Sequence, residues 1–208
     1  KLWDASDKTK KESNLFKYEK FLSYNFNYKP SKNFNKLLRW SIKNPKNFWN
    51  SIWDFCKING KKNYKFKISK DLIKNKYFIN SKLNFAENLL SYNNNQKAIT
   101  FISENGFKEI RTWRELNKNT RKIINFFQKI KIKKNDRVAA YLPNYIETVE
   151  SFLATSALGA IWSSCSPDFG TNGVIERFAQ IKPKLLIISD RYYYNGKEIN
   201  LLNRLPLI

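Results

Sequence analysis

Short apolar runs alternate with amphipathic stretches through the second half of the chain, and the alternation predicts strands and helices in turn. Arg137–Leu142 (RVAAYL) has the length and character of a buried strand. Pro143-Asn144 breaks it, and Asn144 with Glu147 predicts a capping box for a helix over Tyr145–Leu158. Ile146, Val149, Phe152 or Leu153, and Ala157 then share one side of that helix. Gly159 stands at its C′ position, and Ala160–Ser164 predicts a second buried strand. A further helix starts at Thr171 or Asn172, carries Val174, Ile175, Phe178 and Ile181, and stops at Pro183 before a third strand, Leu185–Ser189. Strand, helix, strand, helix, strand at these lengths implies parallel pairing through right-handed crossovers, the start of a doubly wound α/β sheet. The polar loop Cys165–Gly170 leaves the carboxyl end of the second strand, where open α/β sheets keep their ligands.

Upstream, Ala98–Ile102 and Phe107–Thr112 flank Ser103-Glu104-Asn105-Gly106 and predict a hairpin. Thr112 and Glu115 form a capping box for a helix that runs to about Ile130 through Trp113, Leu116, Ile123 or Ile124, and Phe127. The polar stretch Ser91–Lys97 is the best internal boundary, giving segments 1–97 and 98–208. In the first segment, Leu15, Tyr18 and Leu22 predict a helix near Lys11–Tyr24. Trp40–Ile58 predicts a stronger one, with Asn44 as cap, Pro45 at N1, and Phe48, Ile52 and Phe55 in a stripe beside Trp49, Trp53 and Cys56. So wide an aromatic face reads as a packing surface. Tyr64, Phe66 and Ile68 alternate with Lys65 and Lys67 as in a half-exposed strand. Leu83–Leu90 (LNFAENLL) reads as a short helix with Leu83, Ala86, Leu89 and Leu90 inward, and with Glu87 and Asn88 in structural roles.

Composition narrows the chemistry. With 208 residues and 42% hydrophobic content the chain can bury a core, and no apolar run reaches the roughly 20 residues of a membrane span. KLWDASDKTKKES has charges where a signal peptide needs apolar residues. Met is absent, even at position 1, so the sequence reads as a fragment of something longer. The absence of His removes the commonest general base and metal ligand together. Cys56 and Cys165 stand far apart without a CxxC partner, which suits a reducing compartment. The net charge of +22 raises a nucleic-acid reading, but its distribution weakens it. Basic residues outnumber acidic ones 22 to 7 in residues 1–97 and 17 to 10 in residues 98–208, dispersed among Asn and aromatics, and Lys exceeds Arg 31 to 8. Biased codon usage accounts for this better than a binding stripe does, and nucleic acid and membrane are not expected partners. There is no GxGxxG or GxxxxGK[ST] loop.

One family does fit the wording. AIWSSCSPDFG (Ala160–Gly170), preceded by DRVAAYLPN and followed by VIERFAQIKPKLLI, resembles the front of the acetoacetyl-CoA synthetase (acetoacetate–CoA ligase) family. WSIKNPKNFW at Trp40–Trp49 and LNFAENLL at Leu83–Leu90 agree with it. Tyr77-Phe78-Ile79-Asn80 departs from a Trp-Phe-Pro-Gly-like pattern, and Asn135 stands where Gly is common before Asp-Arg-Val. The family is a branch of the adenylate-forming acyl-CoA synthetases. The resemblance implies an α/β fold in which a helical N-terminal segment (1–97) packs on the first βαβαβ part of an incomplete adenylation domain (98–208). It implies ATP, coenzyme A and Mg2+ as cofactors of the full-length enzyme, acetoacetate as substrate, and a cytoplasmic setting. The family's ATP loop, acidic motif, Arg hinge and catalytic Lys all lie downstream, so no catalytic residue is expected in residues 1–208, and this portion is expected to be inactive alone.

What the resemblance does assign is coenzyme A contact. In Tyr192–Lys197 (YYYNGK), Tyr194, Asn195, Gly196 and Lys197 fall on the segment that meets the coenzyme A 3′-phosphate in related synthetases. Lys197 keeps a positive charge where acetyl-CoA synthetases have Arg, and Tyr194 replaces a second Arg. The plainer reading of Lys197 is one more solvated Lys on a short loop. Cys165 reads as a small apolar side chain after a buried strand, not a nucleophile. Asp168 either caps the following turn or helix or borders the coenzyme A channel. The alternatives are a synthetase for another short acyl group and, from a different class, a basic nucleic-acid-binding module.

Overall fold

The computed structural model of the chain describes residues 3–31 and 33–208. Two compact units divide at Leu83/Asn84, so the expected boundary loop, Ser91–Lys97, lies inside the second unit. The first unit carries helices α1 (Asp7–Glu12), α2 (Asn14–Asn25), α3 (Phe34–Lys43) and α4 (Pro45–Phe55), with a short antiparallel pair β1 (Gly60–Lys61) and β2 (Lys82–Leu83). Its core is Tyr18, Leu22, Tyr28 and Leu37, flanked by Phe48, Ile52 and Phe55 of the expected stripe. The Ser51 hydroxyl donates to the Phe48 carbonyl (2.7 Å), so the buried Tyr18 hydroxyl is the donor in the 2.6 Å bond to Ser51. Burial raises the Tyr18 pKa, which keeps that proton in place.

Several expectations for the first ninety residues need correction. Within Trp40–Ile58 the helix does start at Pro45, with Asn44 at the N-cap position and Pro45 at N1, but Trp40–Lys43 belongs to the separate α3, because Pro45 has no N–H to give and disfavours helical backbone at Asn44. The Asn44 side chain closes α3 by donating to the Trp40 carbonyl (3.1 Å) and does not cap α4. Leu15 is exposed, and only Tyr18 and Leu22 of its predicted stripe are buried. Tyr64–Ile68 forms no strand. Side chains take several of the ladder's partners there: Asn63 Oδ1 accepts from Lys65 N–H (3.1 Å) and Asn75 Oδ1 from Ser69 N–H (2.7 Å), leaving the isolated bridge Lys67 to Lys76 and a bond from Ile79 N–H to the Lys65 carbonyl (2.8 Å). Leu83, expected inward, is exposed in β2 opposite Gly60, where a Cβ would meet the Lys82 carbonyl oxygen at 2.7 Å. Leu89 is also largely exposed.

The second unit begins with α5 (Phe85–Leu89), capped by Asn84 through the Glu87 N–H (3.2 Å). The hairpin β3 (Lys97–Ile102) and β4 (Lys108–Thr112) follows, then α6 (Trp113–Lys129) with the expected capping box of Thr112 and Glu115. Next come β5 (Arg137–Tyr141), α7 (Ile146–Ala157), β6 (Ile161–Cys165), α8 (Thr171–Ile181) and β7 (Leu185–Ile188). The sheet is parallel in the order β6-β5-β7, so successive crossovers run in opposite directions from β5. Alternation along β5 confirms the double winding. Ala139 and Tyr141 pack with Val174 and Phe178 of α8, whereas Val138 packs with Ala154 of α7 and Phe127 of α6. Helices therefore cover both faces.

Gly159, at φ +68°, closes α7 as a Schellman motif: its N–H bonds Ser156 and the Ala160 N–H bonds Thr155. Asn135 takes φ +70°, a left-handed conformation that Asn tolerates better than most residues. The capping box predicted at Asn144 and Glu147 does not form. Pro143's carbonyl accepts from Tyr145 N–H (2.8 Å) and from the Thr148 hydroxyl (2.7 Å), which makes Tyr145 the N-cap. Among the described residues no helix is long and apolar enough to cross a membrane.

Candidate functional site

At the carboxyl end of β7 the chain turns into a second hairpin, β8 (Arg191–Tyr194) and β9 (Lys197–Asn200). Asn195 (φ +51°) and Gly196 (φ +71°) are both left-handed, as a two-residue type I′ turn requires. Lys197 therefore stands at the start of a strand rather than on the short loop expected. Tyr194 pairs with Lys197, and Tyr192 with Ile199. These two pairs share one face, because side chains alternate along each strand. Tyr192 and Ile199 are packed into the sheet's core, and one step nearer the tip Tyr194 and Lys197 are exposed. The four residues expected to meet coenzyme A thus form one tip.

The opposite face is neutralised. Arg191 bonds Glu198 (3.0 Å) and Asp190 (3.1 Å), and the Tyr193 hydroxyl donates to Glu198 (2.7 Å). Among the described residues, no carboxylate lies within ion-pair distance of Lys197. The Gly196 N–H donates to Glu104 Oε2 at 3.3 Å, from the turn between β3 and β4.

The hairpin is joined to the loop after β6. Asp168 accepts from the Tyr192 hydroxyl (3.1 Å) with one oxygen and from the Ser166 hydroxyl (2.7 Å) with the other. It does not cap α8, whose N-cap is Gly170. Burial, then the bond to Asp168, raise the Tyr192 pKa, so its proton stays as the donor. Tyr141, fully buried at the end of β5, holds the same loop through the carbonyls of Pro167 (2.8 Å) and Phe169 (2.7 Å). Arg204 Nη1 donates to the Tyr141 hydroxyl and to the Pro167 carbonyl (3.0 Å). The Arg177 guanidinium lies 4.2 Å from the Phe169 ring centre. Cys165 is buried, and burial raises its thiol pKa against the opposing pull of Arg177. The thiol is therefore held in its unreactive form.

Sequence reasoning missed Arg204, Tyr141 and Glu104. Nothing local marks them, since their partners lie 37, 26 and 92 positions away. As an assembly, the tip presents to an anion an ammonium with no carboxylate partner among the described residues, beside a turn N–H on which Glu104 sits. The clamped 166–170 loop fixes the base of the hairpin that carries them.

Residues 88–205 match the family model described as AMP-binding enzyme. The chain is 43% identical over 171 residues to the acetoacetyl-CoA synthetase of Xenopus tropicalis, covering 80% of this chain and 25% of that protein. It is 42% identical over 159 residues to the acetoacetyl-coenzyme A synthetase of Rhizobium meliloti (strain 1021), covering 76% and 24%. The solved structure of acetoacetyl-CoA synthetase from Streptomyces lividans superposes with a TM-score of 0.91 at 25% identity, over 99% of this chain and 32% of that one. The chain spans about a quarter of the length of the curated relatives it matches. By the match over more than half its residues, the chain belongs to the AMP-binding enzyme family, as a homologue of the acetoacetyl-CoA synthetases.

Proposed function

We propose that this chain is the N-terminal portion of an acetoacetate–CoA ligase, working in the cytoplasm, in which the hairpin tip at Tyr194–Lys197 receives the 3′-phosphate of coenzyme A. In the whole reaction an acetoacetate carboxylate oxygen attacks the α-phosphorus of ATP and pyrophosphate leaves. The coenzyme A sulfur then attacks the acyl carbon and AMP leaves, giving acetoacetyl-CoA. The free thiols of Cys56 and Cys165 suit a reducing compartment. Among the described residues no group of three or more Cys, Asp or Glu side chains is placed to hold a metal ion.

The observation that carries the reading is the chemistry of the tip. Among the described residues Lys197 has no carboxylate partner, while Arg191 is already committed to Asp190 and Glu198. A Lys meets phosphate as a point charge, and the rigid type I′ turn fixes where its stem begins. The Tyr192 anchor and the Asp168 bond hold the hairpin against the sheet, so the tip is presented from a fixed base. These residues bind and orient; the bond-making steps belong to the rest of the enzyme.

In the complete enzyme, Lys197→Ala is expected to raise the coenzyme A requirement about 10- to 100-fold, since a charge-assisted contact contributes about 1.5–3 kcal/mol. Acetoacetate-dependent ATP–pyrophosphate exchange should stay nearly unchanged, because that half-reaction does not use coenzyme A. Dephospho-coenzyme A supplies the control. Wild type should bind it less well than coenzyme A, and Lys197→Ala should scarcely distinguish the two. A variant that keeps the full wild-type preference makes Lys197 a surface lysine only.

A further inference from the structure

We propose that Glu104 is a resident carboxylate competitor on the phosphate-binding turn, tuning how tightly the hairpin tip takes a 3′-phosphate. The inference rests on the reading of Lys197 given above. Three observations carry it. First, Glu104 Oε2 accepts the Gly196 N–H at 3.3 Å, so an anion already sits on the turn's outward donor, next in sequence to Lys197. Second, the contact spans 92 positions and joins the tips of two separate hairpins, β3–β4 and β8–β9. Third, the β3–β4 tip that carries Glu104 has open space beside it. An open cleft of about 370 Å³ runs beside the β3–β4 tip, walled by Ser103, Asn105 and Phe107 of that hairpin and by Tyr145 and Glu147 at the start of α7, with Tyr193 as the one lining residue from β8–β9.

The other carboxylates around the tip have partners that satisfy them. Glu198 is bonded by Arg191 and Tyr193, and Asp168 by Tyr192 and Ser166. Glu104 is exposed, and the bond it makes to this region is to a backbone N–H. A carboxylate on a single N–H is a weak stand-in for a phosphate, which brings more charge and three acceptor oxygens. An incoming 3′-phosphate would take the N–H and face the displaced carboxylate at short range. Two like charges about 4 Å apart in water repel by about the energy of a fivefold change in affinity. The exposed Glu104 side chain must therefore turn away from Gly196 as the phosphate arrives.

The test uses the 208-residue chain and two probes, adenosine 3′,5′-bisphosphate and adenosine 5′-monophosphate, with affinity measured by titration calorimetry and the Gly196 amide followed by NMR. Glu104→Gln keeps an oxygen acceptor and removes only the charge. It is expected to tighten the bisphosphate about fivefold and leave the monophosphate unchanged. Glu104→Ala should tighten the bisphosphate similarly and shift the Gly196 amide resonance before any ligand is added. If wild type prefers the bisphosphate through Lys197 but Glu104→Gln binds it no better, the competitor role is overturned while the phosphate site stands. If neither wild type nor Glu104→Gln prefers the bisphosphate, and Lys197→Ala changes nothing, both readings fall together.

Discussion

Arg111→Ala is expected to lower the stability of the second unit by about 3–5 kcal/mol, the cost of leaving a buried charge without its partner. The Glu150 side chain on α7 is only 3% exposed, and one of its oxygens takes bonds from Arg111 Nε (3.2 Å) and Asn119 Nδ2 (2.9 Å). Arg111 lies on β4 and Asn119 on α6, so a single carboxylate ties the first hairpin and two helices together. Arg111 also reaches Glu109 and, at 3.4 Å, Glu147. Removing it leaves three carboxylates close together, one of them out of water. Burial raises the Glu150 pKa, with Asn119 and Arg111 pulling the other way. The sign follows from that direction. A carboxyl whose folded pKa is raised contributes stability below its unfolded pKa and loses it as pH rises through the folded value. The loss from Arg111→Ala should therefore be larger at pH 7 than at pH 4, and adding Glu150→Gln should recover much of it. Urea unfolding at both pH values decides this. Equal losses at the two pH values, or a loss under about 1 kcal/mol at pH 7, would rule out an unpaired buried carboxylate as the cause.

Two pairs of sequence signals show what was legible and what was not. Thr112/Glu115 and Asn144/Glu147 have the same spacing, and only the first makes a capping box. The difference lies outside the motif: the Thr148 hydroxyl claims Pro143's carbonyl, and Glu147 is drawn toward Arg111. The chain also has two Asn-Gly turns. Gly106 alone is left-handed in the first, where Ser103's carbonyl accepts its N–H, whereas both residues are left-handed in the second. Strand register decides which turn forms, and register is set by long-range packing. The βαβαβ order was readable because hydrophobic periodicity is a local property. The order β6-β5-β7 put that prediction on both faces of one sheet. The site was readable only through family wording, since a Lys after Gly carries no chemistry by itself. Its supports, Tyr192 to Asp168, Arg204 to Tyr141 and Gly196 to Glu104, join residues with no common local pattern.

In the first unit the largest expected loss comes from Trp53→Ala, on the order of 3–5 kcal/mol for a buried Trp. Trp53 and Trp49 both lie on α4 and were indistinguishable in the stripe. Their surroundings differ. Trp53 is 9% exposed, with its ring centre 4.8 Å from that of Phe78, which in turn packs on Phe66 at 4.9 Å. Lys62 Nζ lies 5.9 Å from the Trp53 ring and 2.6 Å from Asp54, so its charge is held against the same helix. Trp49 is 39% exposed and touches Tyr77 at its edge of the face. Truncating Trp53 opens a cavity and frees the segment from Tyr64 to Phe78, which few backbone bonds hold in place. Trp49→Ala should cost about 1 kcal/mol, because much of its surface already meets water. Urea unfolding followed by circular dichroism gives both losses. Trypsin adds an independent readout, since Lys65, Lys67, Lys70, Lys74 and Lys76 lie in the freed segment. Cleavage there should quicken in Trp53→Ala and hardly change in Trp49→Ala. Equal losses in the two variants, with cleavage unchanged in both, would show that Trp53 does not anchor the segment and that its face of α4 is free for another surface.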